Sequence, residues 1–144
     1  MAVNEHNVDK GLIALLQADS TLRGYIGNPV RIRTRVEPDI TFPWVYMEKQ
    51  RSGFLPQVKR PADGRKFIES ARYAWTIYSR SLSKEEASNI RARLEVILKT
   101  APSASTITGA AIKESIPRAG QCLYDPTLRL CVGFVEFEFH IEET

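Results

Sequence analysis

Histidine and cysteine are nearly missing from this chain, with two of each in 144 residues, and that scarcity removes several classes of function at once. A metal centre needs several His, Cys, Asp or Glu ligands at short spacings. His6 sits in a polar N-terminal stretch and His140 on the polar side of a terminal strand, neither with a partner nearby in sequence. Cys122 and Cys131 form no C-x-x-C pair and no dense disulfide pattern, so a reducing cytoplasm is the simplest setting. A nucleophile would also need a base and an orienting group, for which there is no motif. Neither G-x-G-x-x-G nor G-x-x-x-x-G-K-[ST] occurs, which leaves no phosphate-cradling loop. No apolar run reaches the ~18 residues of a membrane span, and residues 1–10 lack the apolar core of a signal peptide. These absences predict a soluble, unexported protein with no metal, no cofactor, no membrane partner and no enzymatic centre.

What is present bounds the rest. The 43% hydrophobic content is enough for one sizeable core, so residues 1–144 are expected to form a single domain. Twenty basic residues against seventeen acidic ones leave a net charge of only +3, short of the balance of a DNA-coating protein.

Periodicity then orders the elements. Val8, Leu12, Ile13, Leu15 and Leu16 share a helical stripe, with Asn7 as its expected N-cap, and Leu22, Tyr25 and Ile26 form a short capped turn before Gly27 and Pro29. Val30–Val36 alternates as a strand, with Arg31, Arg33 and Arg35 on one side. Trp44–Glu48 predicts a second strand and Phe67–Tyr78 a third. Ser83 and Glu86 have capping-box spacing ahead of a helix whose buried stripe is Ala87, Ile90, Leu94, Ile97 and Leu98. A less marked strand over Ala110–Ile116 and a turn around Pro117–Gly120 precede the last strand. There Cys131, Gly133, Val135, Phe137, Phe139 and Ile141 oppose Glu136, Glu138 and His140. The fold class expected is α+β, an antiparallel or mixed sheet with two helices on one face, in the order α-β-β-β-α-β-β.

Two charge features invite a functional reading. Lys49, Arg51, Lys59, Arg60, Arg65 and Lys66 fall between positions 49 and 66 with one acidic residue. This reads as a long mobile loop that either meets phosphates or is simply solvated. Glu136, Glu138, Glu142 and Glu143 could be paired acid/base carboxylates, since residues two apart on a strand share a face, although a solvated face or subunit contact is the plainer reading. The row Arg31, Arg33 and Arg35 could pair with that acidic strand, within one molecule or between neighbours.

The order of segments resembles the tail terminator, or tail-to-head joining (tail completion), proteins of long-tailed bacteriophages and prophages. The resemblance spans most of the chain. It rests on the leading helix through Leu15-Leu16-Gln17-Ala18-Asp19 to Ile26-Gly27, the Arg31-Ile32 strand start, and Pro38 with Phe42-Pro43-Trp44-Val45. It continues through the aromatic strand before Ser81-Leu82-Ser83, the Ala87–Leu98 helix and the aromatic-acidic closing strand through Glu138. The chain departs from the family in carrying Trp44 where another aromatic is usual and in the length of the 49–66 excursion. The resemblance implies a virion tail subunit, assembled in the bacterial host cytoplasm, that forms a ring, usually a hexamer, on the finished tail tube. Its implied partners are other copies of itself, the tail tube protein and the head connector, with passing DNA in the lumen. On this reading Arg31, Arg33, Arg35, Glu136 and Glu138 are subunit-interface candidates. Lys49, Arg51, Lys59, Arg60, Arg65 and Lys66 are lumen or partner-loop candidates. The basic loop and the arginine strand also motivate an alternative, a small nucleic-acid-binding module.

Overall fold

A computed structural model of the chain describes residues 5–35, 37, 40–54, 68–81, 83–100 and 107–143. Eight elements follow one another: α1 (Glu5–Gln17), α2 (Ser20–Ile26), β1 (Ile32–Arg33), β2 (Trp44–Phe54), β3 (Ile68–Ser79), α3 (Glu85–Thr100), β4 (Ala110–Asp125) and β5 (Leu130–Glu143). The strands form one mixed sheet in the order β1-β2-β3-β5-β4, parallel only between β1 and β2. The α+β class and the mixed sheet agree with expectation. The short turn expected over Leu22–Ile26 is a helix, however, which brings the described helices to three.

The sheet is built around β3 and β5, its two interior strands of greatest length. Their register sets Tyr73 opposite Phe137 and Trp75 opposite Val135, while Ala71 lies opposite Phe139. Trp75 meets Phe137 and Phe139 edge-on, with ring centroids 6.5 and 6.0 Å away, and the two phenylalanines stack at 6.0 Å. Such pairs add about 0.5–1.5 kcal/mol each beyond area burial. The helices cover this same face: Ala87, Ile90, Leu94 and Leu98 of α3 and Leu12 and Leu16 of α1 are fully buried in the common core. At Gly133 a Cβ would lie 3.0 Å from Ile77 and 3.4 Å from the Ala87 carbonyl, so the missing side chain lets α3 approach the sheet.

Polar ties hold the helices in place. Tyr73 donates its hydroxyl to Asp9 of α1 at 2.6 Å. Asp19 caps α2 by accepting from the Leu22 N–H and also accepts two bonds from Arg93 of α3, at 2.6 and 2.9 Å. The Arg93 guanidinium holds the Asp19 carboxyl below its usual range, and the Leu22 N–H helps, against an opposing effect of burial.

Several boundaries differ from those read in the sequence. Asn7 lies inside α1 rather than capping it and donates to the Thr108 carbonyl. Ser83 accepts from the Glu85 N–H, but Glu86 accepts from Ser79 instead of closing a capping box. The strand expected over Val30–Val36 shortens to Ile32–Arg33, with Val36 outside the described residues. Arg31 donates to the carbonyls of Thr41, Pro43 and Phe42, a side-chain tether in place of further ladder bonds. The loop expected over 49–66 is not one at its start, because residues 49–54 continue β2 against β3 through an irregularity between Lys49 and Arg51, and residues 55–66 lie outside the described residues. Finally, Pro117–Gly120 is not a turn. Irregularities between Ile112 and Glu114 and between Pro117 and Ala119 absorb the proline, and β4 runs on to Asp125.

Replacing Asp19 by Asn keeps the helix cap and removes the charge pair, at an expected cost of about 1 kcal/mol; Asp19→Ala removes both, at about 2 kcal/mol. Denaturant unfolding of the two variants separates the contributions: an unchanged stability for Asp19→Asn would show that the Arg93 pair contributes nothing, and equal losses for both would show that the cap does not.

Candidate functional site

Register places a second set of side chains on the sheet face away from the helices. Trp44, Tyr78, Val132 and Leu123 form one row across β2, β3, β5 and β4, and Tyr46, Thr76, Phe134 and Gln121 form the next. Trp44 stacks on Tyr78 with centroids 4.9 Å apart, and Arg80 lies over the Phe42 ring at 4.3 Å. Burial raises the Tyr78 hydroxyl above its usual range, helped by Tyr46 and Glu48. Further along the strands the face turns from apolar to charged. Among the described residues no helix lies over it, and most of its side chains are half-buried or exposed.

The charged half is organised around Glu138, only 8% exposed. One carboxylate oxygen accepts from Arg72 at 3.2 Å and Arg118 at 3.1 Å, and the other faces His140 Nε2 at 2.9 Å. Arg72 also lies 3.6 Å from Glu136, and His140 Nδ1 lies 3.0 Å from Glu114. A doubly protonated imidazole ring donates to both glutamates, whereas a neutral ring donates to one. The His140 bond, with Arg72 and Arg118, holds the Glu138 carboxyl at about 2, against burial, which acts to raise it. The network spans β3, β5 and β4, so it ties the outermost strand to the sheet.

The sequence-derived candidates fall into three groups. Glu136 and Glu138 belong to this network. Arg31, Arg33 and Arg35 lie around β1, which β2 and β3 separate from β5, so within one molecule the arginine row does not pair with the acidic strand. Arg33 lies 3.2 Å and Arg35 4.0 Å from Glu37, with Arg35 84% exposed along its side chain. Lys49 approaches Glu69 at 3.9 Å between β2 and β3, and Arg51 is a β2 residue in register with Arg72. Lys59, Arg60, Arg65 and Lys66 lie outside the described residues. Sequence reading put Glu136, Glu138 and His140 on one face but missed Arg72 and Arg118 as their partners. The alternation of β3 was visible, whereas its register with β5 was not.

For chemistry the arrangement offers little. Among the described residues no group of three His, Cys, Asp or Glu side chains could hold a metal ion. Cys122 pairs in register with Gly133 and Cys131 with Tyr124, so the two thiols are offset and both are free. A recess of about 310 Å³ between α3 and β4, lined in part by Glu95, Lys99, Arg118 and Phe137, contains no nucleophile paired with a base.

No protein-family model and no curated protein matches the chain. Among solved structures, a chain described as belonging to the virion of a native gene transfer agent particle is similar in fold. The TM-score is 0.74 over 99% of both chains, at 10% sequence identity.

Because Glu138 is ionised in the fold down to about pH 2 and titrates near 4.5 otherwise, its stabilising contribution is complete above about pH 4.5. It is lost as pH falls from there toward 2. Glu138→Gln is expected to cost about 2 kcal/mol at neutral pH. The variant should also lose less stability than the parent between pH 4.5 and 2.5. Parallel slopes in a tryptophan-fluorescence acid titration would contradict this role for the network.

Proposed function

We propose that this chain is a virion structural protein, a tail terminator or tail completion subunit. It acts by self-association into a ring that caps the tail tube and supports head–tail joining. The observation that carries the reading is the fold shared end to end with a chain of a gene transfer agent virion. The agreement extends over 99% of both chains. At 10% identity that agreement concerns architecture, and the order of segments in the sequence supplies the tail-terminator part of the reading.

The physical character of the surface is consistent with assembly. A sheet with helices on one side and an open aromatic-to-ionic face on the other presents two dissimilar surfaces. A head-to-tail contact needs that dissimilarity, and it yields a ring when the rotation closes. Arg35, exposed at the far side of the sheet from β4, keeps its charge available to a neighbour. The partners of such a ring are further copies of this chain, the tail tube and the head connector, in the virion tail.

Light scattering across protein concentration and salt tests the ring. The expected result is a mass that rises to about six subunits, and a doubly reversed Arg33→Glu/Arg35→Glu variant that stays folded but associates at least about tenfold more weakly. A monomer at every concentration would contradict ring formation by this chain. A ring unaffected by the reversal would remove these arginines from the interface.

A further inference from the structure

We infer that the tip of the β4–β5 hairpin of one copy of this chain, led by Leu128, docks into the recess between α3 and β4 of the next copy. The inference rests on the ring reading and names its contact. The tip is ordered without help from a partner. Asp125 Oδ1 accepts from the N–H groups of Thr127 and Leu128 at 2.9 and 3.1 Å. Arg129 closes the turn at a φ of 54°, a left-handed conformation that long side chains seldom adopt. Leu128 is left 55% exposed, more than any other large apolar side chain among the described residues. An apolar side chain presented on an ordered turn gives up little backbone freedom when a partner buries it, which favours docking.

The recess matches that tip in size and in charge. Its volume is about 310 Å³, at the small end for an organic ligand and ample for one aliphatic side chain, with Pro117, Ala119 and Phe137 in its apolar lining. Gly120 keeps it open, since a Cβ there would lie 2.6 Å from the Glu95 carboxylate and 3.3 Å from the Arg91 guanidinium. From α3, Glu95 and Lys99 add one charge of each sign. Asp125 and Arg129 do the same on either side of Leu128. Neither Lys99 nor Arg129 has an ion-pair partner among the described residues. Asp125 holds its turn through Oδ1 and keeps Oδ2 for another contact. Seating Leu128 in the recess therefore lets Arg129 meet Glu95 and Asp125 meet Lys99, so that two opposite pairs frame one apolar anchor.

A molecule cannot fill its own recess. Gly120 to Asp125 is extended strand paired in regular register with β5, a span of roughly 17 Å, and the turn carries Leu128 farther still. The occupant is thus a second copy of the chain. Tip and recess are different patches of one surface, and a contact between different patches runs head to tail, which is the arrangement a ring needs.

Light scattering on the full chain tests this with Leu128→Asp and Arg129→Glu in the tip and Glu95→Lys beside the recess, each checked by circular dichroism to be folded. Every single variant is expected to associate at least about tenfold more weakly than wild type. Combining Arg129→Glu with Glu95→Lys is expected to recover most of that loss, because the exchange restores opposite charges across the contact. Wild-type assembly by folded Leu128→Asp, or a charge exchange that associates no better than its two parents, would overturn the docking and leave the ring standing. A wild-type chain that never associates would overturn both.

Discussion

Trp75, Phe137 and Phe139 must be kept from water, and the rest of the molecule is arranged around that requirement. Three large rings on adjacent strands can be covered only by helices lying on one face, so α1 and α3 converge there with fully buried Leu12, Leu16, Leu94 and Leu98. Gly133 allows the approach, and the Tyr73–Asp9 and Asp19–Arg93 bonds fix the helices against sliding. Covering one face leaves the other to a different chemistry. It is aromatic at the Trp44–Leu123 end and ionic around Glu138.

Glu138 links the two sides of this arrangement. Phe137 and Phe139 flank it in sequence and point into the core, which gives β5 one apolar and one charged face from Glu136 onward. A carboxylate nearly removed from solvent needs compensation, and Arg72, Arg118 and His140 supply it from β3, β4 and β5. Beyond Arg118 no comparable ionic anchor joins β4 to its neighbours among the described residues. The outer strand continues there with little buried beneath it.

Much of this was legible in residues because period-2 and helical stripes were strong. The closing strand, the third strand and the Ala87–Leu98 helix match the observed elements closely. The failures have physical causes. Arg31 turned from a strand-face charge into a tether for three carbonyls, which short-range alternation cannot reveal. Pro117 signalled a turn, but ladder irregularities on an edge strand accommodate a proline as readily. The basic run from Lys49 suggested a loop at a place where pairing with β3 keeps the chain extended as far as Phe54. The candidate site was half visible: one strand's pattern gave the glutamates, whereas Arg72 and Arg118 required knowing which strands lie side by side.

A reconstruction of the concentrated protein by electron cryo-microscopy bears most directly on the central claim, that an open-faced α+β subunit assembles head to tail. The account predicts a closed ring with an open centre, in which the helix layer of each subunit stays intact. Isolated subunits, or a two-fold dimer joined through the helices, would contradict it.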